Sequence, residues 1–343
     1  MKQQRESNYE LLRSIAILLV LILHANFFAL EGPNVQDIIN NPLDSILRIF
    51  FQAISIVCVN VFVMISGWFG IRPSRRGFCN LLFQIIFYLF LIYLLFILTG
   101  HAILSTSGIL DLLLATPSNW FLKAYICLYL FAPVLNSFVE YASQKEFKFF
   151  LISFFLFQTI YGWIFTKSTD YIQGGYSPLS FMGLYLLARY IRIYKPSWSL
   201  KPLKIQILYY LSLLALVVGT CIIPPHCFHA SLTMIYGYNL LTYISPTTIL
   251  MASLMITLTS KLHYRSKAIN WIASSSFAVY MVYVNPHILT PYRNLFQEIH
   301  ADYQGIIYWM IVILLSLLMY FGVIIIDQIR KYLWDKLFIR LIT

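Results

Sequence analysis

Residues 8–24 read Asn8-Tyr-Glu-Leu-Leu-Arg13-Ser-Ile-Ala-Ile-Leu-Leu-Val-Leu-Ile-Leu-His24, with no charged residue between Arg13 and His24. The apolar run continues through Asn26 and Phe27, and about 20 such residues in a helix cross the hydrocarbon core of a bilayer. The stretch therefore predicts a membrane-spanning helix near 10–30. Eleven helical steps return to within about 20° of the starting direction, so Arg13 and His24 share one face, roughly 16 Å apart along the axis. A cation near one membrane surface then stands in line with an imidazole past mid-membrane. Glu10, three residues before Arg13, is placed to pair with it. The run has no small-x-small cleavage site and similar segments follow it, which predicts a retained span, not a cleaved leader.

The rest of the chain has the same character. Of 343 residues, 60% are hydrophobic and 11% charged, with 27 Phe and 25 Tyr and a mean hydropathy of +0.75. That composition excludes a pair of soluble domains, a disordered chain and a disulfide scaffold. Because a charge inside a span is costly, the gaps between charged residues outline the helices. They predict ten spans, near 10–30, 47–70, 78–99, 119–139, 148–166, 175–194, 205–225, 238–260, 268–289 and 304–327. An even number puts both termini on one side, and the basic residues say which. With the N-terminus inside, only Arg48, Lys167 and Arg293 of the 24 Lys and Arg fall outside, and Lys123 lies inside or at the end of the fourth span. The net charge of +11 is thereby read as topology, with no nucleic-acid partner. The expected fold is an all-α polytopic membrane protein: a single bundle of about ten transmembrane helices, N- and C-termini cytoplasmic, formed by residues 1–343 as one domain. No loop is long enough for a soluble catalytic domain, which confines any chemistry to the bundle or its mouths.

On the residues alone, two readings of Arg13 and His24 are open. They are a snorkelling anchor and a hydrogen-bonded interfacial histidine, or they line a path in which a neutral imidazole takes a proton from a hydroxyl. Ser66-Gly67-Trp68-Phe-Gly70 makes a glycine-bearing exit from the second span, followed by Arg72, Arg75 and Arg76. That cluster suits positive-inside anchoring and also a phosphate site, since guanidinium forks grip phosphate oxygens in pairs. Trp120, Lys123 and Tyr125 fall at the outer end of the fourth span, and Asn285 and His287 close the ninth. Interfacial and capping roles compete there with substrate contact. Cys221, His226, Cys227 and His229 match no standard ligand spacing, so no metal is expected, while a Cys221–Cys227 disulfide stays open.

Several of these motifs together carry a resemblance. Asn8-Tyr-Glu10-Leu-Leu-Arg13 with His24 eleven residues on, Asn60-Val-Phe-Val-Met-Ile-Ser66-Gly67-Trp68, Arg72-x-x-Arg75, Asn119-Trp120-Phe121-Leu-Lys-Ala-Tyr125 and Ser274-Ser-Ser276-Phe-Ala-Val-Tyr280-Met-Val-Tyr283-Val-Asn285-Pro286 are similar, in kind and order, to the acyltransferase-3 family of integral membrane O-acyltransferases. The sequence departs from that pattern at Asn60, where the family often has Asp, and at Tyr283, where it often has His. The resemblance implies transfer of an acyl group, commonly acetyl from acetyl-CoA, to a hydroxyl of a cell-surface polysaccharide or a lipid-linked glycan precursor. It implies a bacterial cytoplasmic (inner) membrane and a stand-alone member, with membrane lipid and the glycan as partners. It also implies His24 and Arg13 as catalytic residues, Arg13, Arg72, Arg75 and Arg76 on the CoA phosphates, and Asn60, Ser66, Trp120, Lys123, Tyr125, Tyr283 and Asn285 on the acceptor. Direct transfer and an acyl-histidine intermediate both stay open. A glycolipid or small-molecule transporter or flippase is the competing class, because it too would line a path with buried Arg and His. The sequence shows no repeated halves and gathers its charges at one mouth, which speaks against it.

Overall fold

The computed structural model describes residues 6–100, 103, 105, 120–165, 171–227 and 238–337, and among them every regular element is helical. In chain order the α-helices are α1 (Ser7–Ala25), α2 (Phe27–Leu30), α3 (Val35–Asn40), α4 (Pro42–Ser55), α5 (Cys58–Phe69), α6 (Arg75–Leu98), α7 (Trp120–Tyr141), α8 (Gln144–Phe157), α9 (Pro178–Tyr194), α10 (Ser197–Leu200), α11 (Leu203–Cys227), α12 (Pro246–Ser260), α13 (Lys267–Ala273), α14 (Ser276–Tyr283), α15 (Pro286–Asp302) and α16 (Gly305–Leu337). A π-helical stretch, Gln158–Ile164, prolongs α8, and a 3-10 turn, Gln173–Gly175, precedes α9.

Among the described residues, seven helical stretches are long and apolar enough to cross a bilayer: Ser7–Leu30, Pro42–Phe69, Arg75–Leu98, Trp120–Tyr141, Gln144–Ile164, Leu203–Ile222 and Gly305–Lys336. The chain is a polytopic membrane protein. These seven coincide with the first to fifth, the seventh and the tenth of the predicted spans. The remaining three are shorter than predicted. The sixth becomes the 17-residue α9, which carries Arg189 and Arg192 and packs against α5, α7 and α8 inside the bundle. The eighth is helical at 238–239, turns through 240–244 and resumes at Pro246 as the 15-residue α12. The ninth breaks at Ser274 and Ser275, whose hydroxyls accept from Lys331 Nζ at 2.6 and 2.7 Å. Pro286, held by the Asn285 cap, then opens a separate helix.

Helix α5 is the centre of the bundle, packed on α1, α9 and α12. Of the apolar window that spans α4 and α5, 72% is buried, against 22% in the α8 and α11 spans, which lie at the periphery of the described bundle. The approach of α9 to α5 depends on Gly67: a Cβ there would stand 2.4 Å from the Tyr185 carbonyl oxygen. Small residues at such crossings let membrane helices gain contact through close backbone approach. Gly70, at φ +77°, ends α5 by returning its N–H to the Ser66 and Gly67 carbonyls at 3.0 and 3.1 Å.

One buried polar network ties three elements. Asp327 on α16 accepts from Tyr88 Oη (2.7 Å) on α6 and from Arg330 Nε (2.6 Å), and Lys331 lies 3.5 Å from its other oxygen while holding the α13–α14 turn. A carboxylate buried at this depth is tolerated because every neighbour donates to it.

Candidate active site

His24 sits one residue before the end of α1, and Asn26 then leaves helical space (φ −103°, ψ −112°). A helix broken among apolar neighbours exposes carbonyls that need donors. Here side chains supply them. Tyr292 Oη donates to Leu21 O (3.0 Å), Tyr308 Oη to Ala25 O, Gln297 Nε2 to Ala29 O (2.6 Å), Arg48 Nη2 to Leu30 O (3.1 Å) and Glu31 O (2.6 Å), and Tyr238 Oη to Pro33 O. Arg48 is steadied by Asp44 at 3.8 Å, which in turn accepts from His300 Nε2 (3.0 Å) and the Gly305 N–H (2.9 Å). The backbone that carries His24 is thus fixed by α4, α15, α16 and the segment before α12.

The imidazole itself is oriented by its own helix. Its Nδ1 lies 2.8 Å from the Val20 carbonyl oxygen. A carbonyl only accepts, so Nδ1 carries a proton, and in the neutral ring Nε2 keeps a lone pair. The ring packs against Phe28 and Tyr283, at centroid distances of 4.4 and 5.0 Å.

His24 lines a cavity of about 240 Å³ together with Val20, Cys58, Phe62, Trp120, Tyr243, Tyr280 and Arg293. A second cavity, of about 270 Å³, is lined by Arg13, Phe62, Ser66, Asn80, Gln84, Tyr125 and Ser274. The two chambers share Phe62. On α1, Arg13 faces the second chamber while Ala16, Ile17, Val20 and His24 face the first; on α7, Tyr125 and Tyr129 face the second and Trp120 and Phe121 the first. The helices α5 and α14 divide their residues in the same order, Ser66 from Cys58 and Phe277 from Tyr280. The chambers therefore lie end to end along the bundle, parted by a layer of Phe62, Phe121 and Tyr125 whose ring centroids are 5.6 to 6.3 Å apart. The common face of Arg13 and His24 expected from helical spacing is the side of α1 that lines both chambers.

The other residues singled out in the sequence divide. Arg13 bonds both Glu10 oxygens at 2.8 Å, as its spacing predicts, and Ser66 Oγ lies 3.2 Å from Tyr125 Oη. Arg72 lines a separate hollow with Arg189, so Arg13 and Arg72 do not share one site, while Arg75 and Arg76 are exposed on the first turn of α6. Trp120, Lys123 and Tyr125 do not form one entrance. Trp120 belongs to the His24 chamber and Tyr125 to the Arg13 chamber, because five residues along a helix advance about 7.5 Å. Lys123, between them, points away and is exposed. Asn60 is buried and gives its amide to the Tyr243 carbonyl at 2.8 Å, and Asn285 caps α15 by accepting from the His287 N–H at 3.0 Å. Tyr283 is fully buried, with no hydrogen-bond partner for its hydroxyl among the described residues. Cys221 is a free thiol; the side chains of His226 and Cys227, and His229 altogether, lie outside the described residues, as do Asn119 and Lys167.

Residues not anticipated also enter the site. Gln84 lines the Arg13 chamber with a buried amide nitrogen that has no partner among the described residues. Asn80 and Gln84, one turn apart on an otherwise apolar span, were a legible signal, since polar side chains in a span are costly unless used. Tyr243 and Arg293 carried no such signal, as nothing local says that they turn toward His24.

A family model for an acyltransferase domain matches residues 6–327. No curated protein and no solved structure gives a significant match.

Proposed function

We propose that this chain, which belongs to the acyltransferase-3 family, moves an acetyl group from acetyl-CoA to a hydroxyl of a cell-surface polysaccharide or a lipid-linked glycan precursor, with His24 as general base. The observation that carries the reading is the pair of end-to-end chambers, with a basic polar lining around Arg13 at one end and an imidazole with a free Nε2 at the other. The proposed orientation puts the Arg13 chamber at the cytoplasmic face of a bacterial inner membrane, where acyl-CoA is found.

The Arg13 chamber suits the pantetheine arm. Its unpartnered Gln84 Nε2 can donate to an amide carbonyl of that arm, and Asn80, Ser66 and Tyr125 offer further hydrogen bonds. Arg76, four residues before Asn80 on α6, stands one turn nearer the helix start on the same face, where it would meet phosphate beside Arg13. In the transfer step, His24 Nε2 takes the proton of the acceptor hydroxyl as its oxygen bonds to the thioester carbonyl carbon. The C–S bond breaks, the acyl group stays on the acceptor oxygen, and the imidazolium returns its proton to the departing thiolate. Trp120, Tyr176 and Tyr243 would form the sugar platform; their rings pack against one another at 4.4 to 5.9 Å. Asn60 contributes by holding the backbone of Tyr243.

The test is His24→Gln in purified protein in nanodiscs. Glutamine keeps hydrogen bonding and lacks basicity, so acyl transfer should fall by about 10² to 10⁴ with acetyl-CoA binding retained. Transfer near the wild-type rate would make His24 structural.

A further inference from the structure

The rim of the His24 chamber holds a cation that the transfer step does not use. Leu289 and Arg293, one turn apart on α15, both line the chamber, and Arg293 is exposed there. Among the described residues Arg293 has no hydrogen-bond or ion-pair partner. Its position contrasts with that of Arg48, the other described basic residue that charge partition assigns to this side. Arg48 is buried, and its two Nη atoms are engaged by Asp44 and by the Leu30 and Glu31 carbonyls. Structural demand therefore explains Arg48 and leaves Arg293 unexplained.

The chamber behind Arg293 is otherwise apolar and aromatic. A guanidinium at such a mouth attracts oxyanions, because the low-dielectric wall weakens screening of its charge and the planar fork binds two oxygens at once. Its exposure suits reading a fixed charge on a substrate, whereas the transient oxyanion of acyl transfer forms on the thioester's carbonyl oxygen, at the carbon that the acceptor hydroxyl attacks. Aromatic rings and one cation around a single mouth match a ring-shaped, hydroxyl-rich, negatively charged ligand.

We infer that Arg293 recognises an oxyanion on the acceptor, so that the acceptor is an acidic glycan bearing a carboxylate or a phosphate near the hydroxyl to be acylated. The inference rests on the acyl-transfer reading for the role of the chamber, yet binding can be measured without any transfer. Full-length protein in nanodiscs of neutral phosphatidylcholine is titrated with two matched pairs, and binding is followed by intrinsic tryptophan fluorescence. In the first pair, 4-nitrophenyl β-D-glucuronide and 4-nitrophenyl β-D-glucoside differ by a carboxylate. In the second, glucose is joined to undecaprenol through a phosphate or directly. One pair should show a preference for the charged member of about tenfold, the discrimination of one charge-assisted hydrogen bond, and which pair does so names the oxyanion. Arg293→Gln should bring that ratio toward one, and Arg293→Lys should keep part of it, having charge without the fork. No preference in either pair, or a preference that survives in Arg293→Gln, overturns the inference; the latter result, or loss of binding of charged and neutral ligands alike, makes Arg293 a lipid anchor or a structural residue. Charge-selective binding without acetyl transfer from acetyl-CoA would uphold Arg293 and count against the proposed reaction.

Discussion

His24 and Gln84 are the two residues whose hydrogen-bond accounts most constrain the chemistry. His24 has one nitrogen committed to its own helix and one left over, while Gln84 has a buried donor with nothing in the described residues to receive it. An unsatisfied buried donor costs free energy that a ligand carbonyl would recover. Gln84→Leu, close to isosteric, should therefore raise KM for acetyl-CoA by about fivefold with kcat little changed, consistent with the loss of one neutral hydrogen bond. Steady-state kinetics in detergent would check this, and an unchanged KM would remove Gln84 from the donor path. The pairing of Arg13 with Glu10 and its alignment with His24 were legible because helical spacing alone decides them. The capping role open to Asn285 was legible as well, but Asn60 and Lys123 were not, since a sequence does not say which carbonyl an amide will meet or which way a lysine on a half-buried helix will turn.

Among the elements, α1 and α2 show why a break is placed at Asn26: it exposes carbonyls at the depth where His24 sits, and side chains of four other segments converge to bind them. The long uninterrupted spans were legible from charge gaps. The short ones were not, because α9, α12 and the α13–α14 pair are stabilised by protein neighbours in place of lipid, and a buried helix needs neither the length nor the purity of a lipid-facing one. The exit glycine at position 67 has a packing reason that spacing could not give. Gly67→Ala should push α5 from α9 and cost about 1 to 3 kcal/mol, seen as a lower Tm of the purified protein. Gly322→Ala, where nothing lies within 4 Å of the added Cβ, should leave Tm unchanged or slightly raised, since alanine favours helix. Equal behaviour of the two variants would contradict the close crossing.

At the scale of the molecule, the described helices include seven long apolar ones, and four of these, with shorter helices, line two chambers that meet at one aromatic layer. A membrane enzyme whose donor and acceptor are on opposite sides needs a path that each can enter from its own end, and a partition that opens only to the reacting groups. Phe62, shared by both chambers, stands where such a partition must be. The measurement that tests this most directly separates the two substrates by the bilayer. Protein is reconstituted in sealed proteoliposomes, orientation is assigned by protease accessibility of a tag at the N-terminus, and radiolabelled acetyl-CoA is supplied only on the Arg13 side and the glycan acceptor only on the His24 side. The expected result is labelled acceptor on the His24 side, with free CoA accumulating on the Arg13 side and neither appearing in His24→Gln vesicles. Labelled acceptor formed only when donor and acceptor are supplied on the same side would contradict the end-to-end path.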